Sequence, residues 1–360
     1  MKVFAAVLLC ILIFREVRAQ YINCRNPNQK TGQCMEWYHC QSLYSVWMSP
    51  GRTDSERNFV QASQCGYHRD YQFLACCTDD TDFVPRIATV LDEESSNLLP
   101  QLNKCGDDTA SPLILGGNET VLTEFSWMVL LEYPSGSKLD TNCAGSLIND
   151  RYVLTAAHCL AKDTPPVSVR LGEHDTRTPE DCRGKRCSAR VVTVGIEEAH
   201  AHENFRNDST SLHDIGIIRL ARKVSYSDTI RPICLPSTVG AMRLTDGKLL
   251  TVAGWGRTLH NPTSPTKQKV PVNFWDFNRC RIKYLSLQIA VEPSQICAGG
   301  EEHVDSCDGD SGGPLMSYRQ GVWVLRGIVS FGRSCGRRGW PAIYTNVDFY
   351  DRWIKQKMRP

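Results

Sequence analysis

The chain has 360 residues and a formal charge of +2. Length suggests about two domains, and the near-neutral charge gives no support for a nucleic-acid partner. Seventeen cysteines point to an oxidising compartment, where such numbers persist as disulfides.

The first segment is Met1-Lys2 followed by an apolar run from Val3 to Phe14 and then Arg15-Glu16-Val17-Arg18-Ala19. A basic start, a short apolar core and small residues at the end predict a signal peptide over residues 1–19, cut after Ala19. The run of about 12 apolar residues is too short for a bilayer, which needs about 20. No later segment is long and apolar enough to span, so secretion is expected and a membrane partner is not. Cys10 leaves with the signal peptide, and the mature chain keeps 16 of its 17 cysteines. An even count reads as a disulfide framework. No pair has the two-residue spacing of a zinc knuckle.

Six cysteines crowd residues 24–77: Cys24, Cys34, Cys40, Cys65, Cys76 and Cys77. A segment this short buries too little apolar surface to fold unaided, so bridges are its main support. Residues 78–104 carry no cysteine, are rich in Asp, Glu, Ser and Asn, and contain Val84-Pro85 and Leu99-Pro100. They predict a linker, continuing to Leu113. From Ile114 to Pro360 short strand-like runs alternate with Gly, Pro and Asn. Trp127 to Glu132, Tyr152 to Ala156, Lys248 to Ala253 and Val322 to Ser330 are examples. The pattern predicts an all-β sandwich or barrel. Only the end, Val347 to Met358, reads as helix, with Phe349, Trp353 and Ile354 near one face.

Three local patterns carry chemistry. They are Leu154-Thr155-Ala156-Ala157-His158-Cys159, Asp214-Ile215-Gly216-Ile217-Ile218-Arg219-Leu220 and Asp305-Ser306-Cys307-Asp308-Gly309-Asp310-Ser311-Gly312-Gly313-Pro314-Leu315. Amide hydrolysis by serine needs a base for the hydroxyl proton, a buried carboxylate to orient that base, and donors for the oxyanion. His158, Asp214 and Ser311 can form the triad, and the amides of Gly309 and Ser311 can form the oxyanion hole. A glycine lets the chain aim its amide there. Gly-Asp-Ser-Gly-Gly alone also fits the nucleophile elbow of α/β-hydrolases. Those enzymes run Ser, acid, His, whereas this chain runs His, Asp, Ser.

On these motifs residues 114–360 resemble the trypsin-like serine proteases, and the six-cysteine segment ending in Cys76-Cys77 resembles a clip domain. The whole resembles the arthropod clip-domain serine proteases, made as zymogens for extracellular cascades of melanisation and Toll activation. The resemblance implies a two-barrel protease domain with a C-terminal helix, preceded by a small disulfide-rich clip domain at 24–77. It implies the bridges Cys24–Cys76, Cys34–Cys65, Cys40–Cys77, Cys105–Cys234, Cys143–Cys159, Cys182–Cys187, Cys280–Cys297 and Cys307–Cys335. Sequence alone leaves the connectivity of the first six cysteines open.

Ile114-Leu115-Gly116-Gly117 resembles the N-terminus freed when such zymogens are cut, here after Leu113. The new amine is mostly protonated at neutral pH and is expected to pair with Asp310. Asp305, six residues before Ser311, corresponds to the base of the primary specificity pocket, where a carboxylate selects Arg or Lys. Ser330-Phe331-Gly332 matches the strand lining that pocket. Ala342 stands where such enzymes usually carry Gly, and its methyl narrows the pocket.

Gly172-Glu173-His174-Asp175, with Glu180 and Asp181, reads either as a calcium loop, with Glu173 and Asp175 as ligands, or as a solvated acidic turn. Beyond such structural calcium, no cofactor is required. His200 and His202 have the look of a metal pair but are expected to flank a surface strand. Asn118-Glu119-Thr120 and Asn207-Asp208-Ser209 are glycosylation sequons. The resemblance implies a protein substrate (a downstream zymogen or effector), an inhibitory serpin, and haemolymph as the compartment. The leucine at 113 implies an activating protease with a chymotrypsin- or elastase-like pocket. The rival expectation is a clip-domain binding cofactor with little proteolytic activity.

Overall fold

A computed structural model of the chain describes residues 23–28, 30–48, 56, 59–60, 63–67, 73–78, 98–107, 118–239, 244–257, 261–302, 309–332 and 336–360. The chain divides into two compact units, Met1–Arg86 and Ile87–Pro360.

In the first unit four antiparallel strands lie in the order β1-β2-β4-β3. They are β1 (Asn23–Arg25), β2 (Thr31–Glu36), β3 (Gln64–Tyr67) and β4 (Phe73–Cys77). The helix α1 (Gln41–Met48) turns Leu43 and Val46 toward Phe59, Val60 and Ala75. That apolar cluster is small. Disulfides Cys24–Cys76, Cys34–Cys65 and Cys40–Cys77 supplement it, each contributing about 2–4 kcal/mol by restricting the unfolded chain.

The second unit opens with the short strand β5 (Asn118–Glu119). Next come β6 (Met128–Ser135), β7 (Lys138–Leu147), β8 (Tyr152–Thr155) and β9 (Ser168–Leu171). A hairpin of β10 (Cys182–Arg183) and β11 (Arg186–Cys187) is pinned by Cys182–Cys187. With β12 (Val192–Ala201) and β13 (Gly216–Leu220), strands β6 to β9 close a barrel in the order β12-β13-β8-β7-β6-β9. Closure leaves the barrel no free edge.

A second ring uses β14 (Leu249–Gly254), β15 (Gln268–Trp275), β16 (Gln295–Ala298), β17 (Pro314–Arg319), β18 (Val322–Phe331) and β19 (Ala342–Asn346). The ring closes because β14 pairs with both β15 and β17, and β5 adds to β15 outside it. Leu250, Val252, Val272, Leu315, Val329 and Tyr344 fill its centre. The observed strands match the sequence-based runs to within one to three residues at each end, as expected where caps do not fix a boundary.

Helices are more numerous than expected in this unit. Besides the C-terminal segment, a 3₁₀ turn Val347–Tyr350 leading into α4 (Asp351–Lys357), there are α2 (Ala157–Leu160), a single turn at Pro236–Val239 and α3 (Phe277–Leu285). A single turn such as α2 is too short for any periodicity. In α3 only Cys280 and Tyr284 are buried, so its apolar stripe is two residues wide. Its readable signal was the cap: Asp276 accepts the Asn278 amide at 2.9 Å.

The segment before the first barrel is stitched to the second. Cys105 is buried and bonded to Cys234, and Gly106 exchanges backbone hydrogen bonds with Pro232 and Trp323, each at 2.8 Å. Cys143–Cys159 and Cys280–Cys297 complete the disulfides among the described residues. Cys307 and Cys335 lie outside the described residues.

Candidate active site

His158 sits on α2, one residue past the buried Ala157 and directly after β8. Its backbone N–H donates to Asp214 Oδ1 at 2.9 Å, and its ring Nδ1 lies 2.8 Å from Asp214 Oδ2. A carboxylate can only accept, so Nδ1 carries the proton and Nε2 is left with its lone pair. Asp214 itself is 1% exposed. Ser330 Oγ donates to its Oδ2 at 2.5 Å, and Thr345 Oγ1 donates to its carbonyl at 2.6 Å. Three donors thus surround one buried carboxylate, two from His158 and one, Ser330, from the second barrel.

Ser311 belongs to the loop entering β17. Its carbonyl accepts the amide of Ala144 on β7 at 2.8 Å, so the serine loop is hooked to the opposite barrel. Gly312, at φ +77°, permits this approach: a Cβ there would fall 2.4 Å from the Ala144 carbonyl and 2.3 Å from Thr155 Oγ1. Gly309 has φ +97°, a conformation that favours glycine. Between them Asp310 is buried, and its Oδ1 accepts the Gly256 amide at 2.8 Å. Cβ atoms on Gly254 or Gly256 would collide with that carboxylate. Among the described residues no hydrogen bond joins Ser311 Oγ to His158. Nε2 instead lies 3.6 Å from Cys159 Sγ. In unliganded enzymes the nucleophile–base contact is often long and tightens with substrate.

Ser330 and Gly332 flank Phe331 at the end of β18, and Ala342 opens β19. A Cβ built on Gly332 would meet the Ala342 methyl at 3.5 Å, so the two positions are in van der Waals reach of each other. Asp305, Leu113 and Ile114 lie outside the described residues. Ser330 does more than line a wall, since it holds Asp214. No spacing in the sequence could reveal this, because Ser330 and Thr345 lie 116 and 131 residues from Asp214.

The acidic loop is internally satisfied. Glu173 Oε1 accepts the His174 amide at 2.9 Å and its Oε2 faces Arg170 at 3.3 Å. Burial, with the Asp181 charge adding, pushes the Glu173 carboxyl up. Arg177 takes both oxygens of Asp175, at 2.8 and 2.6 Å, and holds that carboxyl below the usual range. With arginines on both candidate ligands, the residues as placed do not fit a calcium shell, and no step of the chemistry is routed through one. Among the described residues the single metal-like grouping is Cys143, His158 and Cys159, and its sulfurs are already a disulfide. His200 is exposed beside Glu198, whereas His202 is buried and stacked on His213. Asn207 and Ser209 are exposed. Thr120 of the other sequon is buried, with its hydroxyl 3.2 Å from the Lys267 carbonyl.

Such a base, oriented by a buried carboxylate, together with a serine held on a glycine turn, can run acyl transfer. Comparison with known proteins agrees. Residues 114–354 match the family described as Trypsin, and residues 24–77 match the Regulatory CLIP domain of proteinases. Serine protease 7 of Drosophila melanogaster is 41% identical, over 99% of this chain and 97% of that protein. Phenoloxidase-activating factor 1 of Holotrichia diomphalia is 39% identical over 97% of each. A crystal structure of the Drosophila Grass clip serine protease of the Toll pathway superposes with a TM-score of 0.64 at 31% identity, covering 94% of this chain and 97% of that one. This chain belongs to the clip-domain serine proteases, as a serine endopeptidase of the trypsin family that carries a regulatory CLIP domain.

Proposed function

We propose that the chain is a secreted zymogen of an extracellular cascade, of the melanisation or Toll type, that cuts a downstream protein after Arg or Lys. The observation that carries the reading is the His158–Asp214 pair, 2.8 Å apart, in a trypsin-family chain whose Ser311 stands on a glycine turn. The cascade assignment is supported by the relatives named for phenoloxidase activation and the Toll pathway. In this reading His158 Nε2 takes the Ser311 proton, Asp214 steadies the imidazolium that results, and the amides of Gly309 and Ser311 receive the oxyanion. No cofactor is needed. Secretion rests on residues 1–19, and no helix among the described residues is long and apolar enough to cross a membrane. Glycosylation at Asn207, a Cys307–Cys335 bridge and control by a serpin belong to the same reading.

Specificity is assigned to Asp305, with Ser330, Gly332 and Ala342 as walls. The test is to profile the activated enzyme on peptide libraries. Wild type is expected to cut after Arg and Lys, and Asp305→Ser to lose that preference. A buried guanidinium without its counter-charge costs about 3–5 kcal/mol, a discrimination of about a hundredfold or more. A variant that still strongly favours basic residues would remove Asp305 from the pocket.

Activation is assigned to cleavage between Leu113 and Ile114. Cys105 lies on the N-terminal side of that bond and is disulfide-bonded to Cys234 on the other side. The cut protein is therefore expected to run as one band without reductant and as two bands with it. Separation without reductant would place the cut or the bridge elsewhere.

A further inference from the structure

Asp214 is reached through a backbone that is not relaxed. His213, directly before it, has φ +59°, and Ser211 has φ +41°. Neither residue is glycine, and non-glycine residues adopt this region at a cost that surrounding structure must offset. The Ile215 amide bonds the His213 carbonyl at 2.8 Å, so Asp214 is the middle of a three-residue turn that His213 begins. The orientation of His213 thus sets the direction in which the Asp214 side chain leaves the chain.

A stack of rings holds His213. Its imidazole lies parallel to that of His202, with centroids 4.8 Å apart and planes 11° from parallel. Trp353 of α4 covers the His202 ring at 5.1 Å. Tyr350 meets both imidazoles edge-on, and its hydroxyl is 3.0 Å from His213 Nδ1. On the β12 side, the His202 amide bonds the Ile215 carbonyl at 2.9 Å, and His202 Nδ1 accepts the Asn204 amide at 3.2 Å. The C-terminal helix, the end of β12 and the Asp214 turn therefore meet in one aromatic stack.

We propose, resting on the serine-protease reading above, that the His202–His213 stack is the positioning element for Asp214, locking His213 left-handed and coupling the C-terminal helix to the triad carboxylate. The stack requires uncharged rings. His202 Nδ1 already accepts a hydrogen bond and has no place for a second proton, and two parallel imidazolium rings would repel. Burial, with His213 adding, pushes the His202 ring down to about 4. Burial, with the Arg206 charge adding, pushes His213 down as well. The other groups facing the stack are Glu203, tied to Trp353 and Lys357, Lys357 itself, and Arg206, paired with Asp208. Free histidine takes up its proton near pH 6.5. The unfolded chain therefore binds protons that the folded stack refuses, and stability held by the stack is complete above pH 6.5 and is lost as pH falls toward 4.

The test uses the full chain, activated by cleavage after residue 113. His213→Ala and His202→Ala are each expected to lower kcat about tenfold or more with KM within twofold, because a misplaced base costs rate and not binding. His202→Phe keeps a flat ring for the stack and should retain kcat within twofold. His213→Asn, which accepts left-handed backbone, should recover most of the His213→Ala loss. In wild type, kcat/KM is expected to fall with more than one proton below about pH 5. In His202→Phe the acid limb should keep the single-proton slope of the general base. The proposal is overturned if His202→Ala leaves kcat within twofold, or if His202→Phe loses as much as His202→Ala, or if its acid limb is as steep as that of wild type. Labelling of wild type by a fluorophosphonate, absent in Ser311→Ala, reports on the serine-protease reading separately.

Discussion

Ser311→Ala is expected to lower turnover of peptide amides by about a million-fold while leaving folding and secretion intact, since loss of the nucleophile removes nearly all that a triad supplies. The fold should not register the change. The contact that hooks the serine loop to β7 is made by the Ser311 carbonyl, 2.8 Å from the Ala144 amide, and alanine keeps it. The glycine approach at Gly312 is equally untouched, and loss of one hydroxyl opens no cavity of consequence. The measurement is hydrolysis of an Arg-terminated peptide amide, together with fluorophosphonate labelling before and after cleavage at Ile114. Labelling that appears only after cleavage, and only with Ser311 present, fits the enzyme. A variant retaining more than about a thousandth of wild-type turnover would remove Ser311 from the mechanism, and a cleaved wild type that neither labels nor hydrolyses would favour a clip-domain binding protein.

Where chemistry repeats locally, the sequence was readable. His158 and Ser311 stand inside short motifs whose residue types have no common structural use in that combination, and chain order separated them from the α/β-hydrolase alternative. The strand runs were readable for a related reason. They are short apolar runs, several buried along their whole length, and turn residues mark their ends. What could not be read arises between distant segments. Ser330 and Thr345 hold Asp214 from the second barrel; Ser330 was legible only as a pocket residue, and Thr345 reads as an ordinary strand threonine. Gly254 and Gly256 leave space for the Asp310 carboxylate, yet Gly-Trp-Gly reads as a plain turn. The helix α3 escaped because a single disulfide and one tyrosine anchor it, so it lacks the broad apolar stripe on which periodicity depends.

The same division explains why the triad depends on both barrels at once. His158 and Asp214 come from the first barrel, and Ser311, Ser330 and Thr345 from the second. Among the links between them are three short hydrogen bonds: Ala144 to Ser311, Ser330 to Asp214 and Thr345 to Asp214.

Replacing Leu113 with Arg is expected to turn a zymogen that trypsin cannot activate into one that trypsin activates readily, with little change in the mature enzyme. The natural residue before Ile114 is Leu113, within Ala110-Ser111-Pro112-Leu113. A pocket with a carboxylate at its base binds leucine poorly, because the charge stays buried and unpaired. An enzyme whose pocket is built on Asp305 should thus fail to cut its own precursor there, as should trypsin. The nearest basic residues are Lys104 upstream and Lys138 downstream, and cutting at neither yields Ile114 as an N-terminus. Only that terminus supplies the ammonium proposed to reach Asp310, whose carboxylate is already turned inward onto the Gly256 amide. A protease with a chymotrypsin- or elastase-like pocket is the expected activator, placing this enzyme between a signal received at leucine and one passed on at Arg or Lys. Both zymogens would be treated with trypsin and with an elastase-like enzyme, the new N-termini sequenced and activity assayed. Efficient activation of the natural zymogen by trypsin with Ile114 as the new terminus would refute the assignment. Activation of the Leu113→Arg form alone, with equal final activity, would separate the choice of activator from the chemistry that follows.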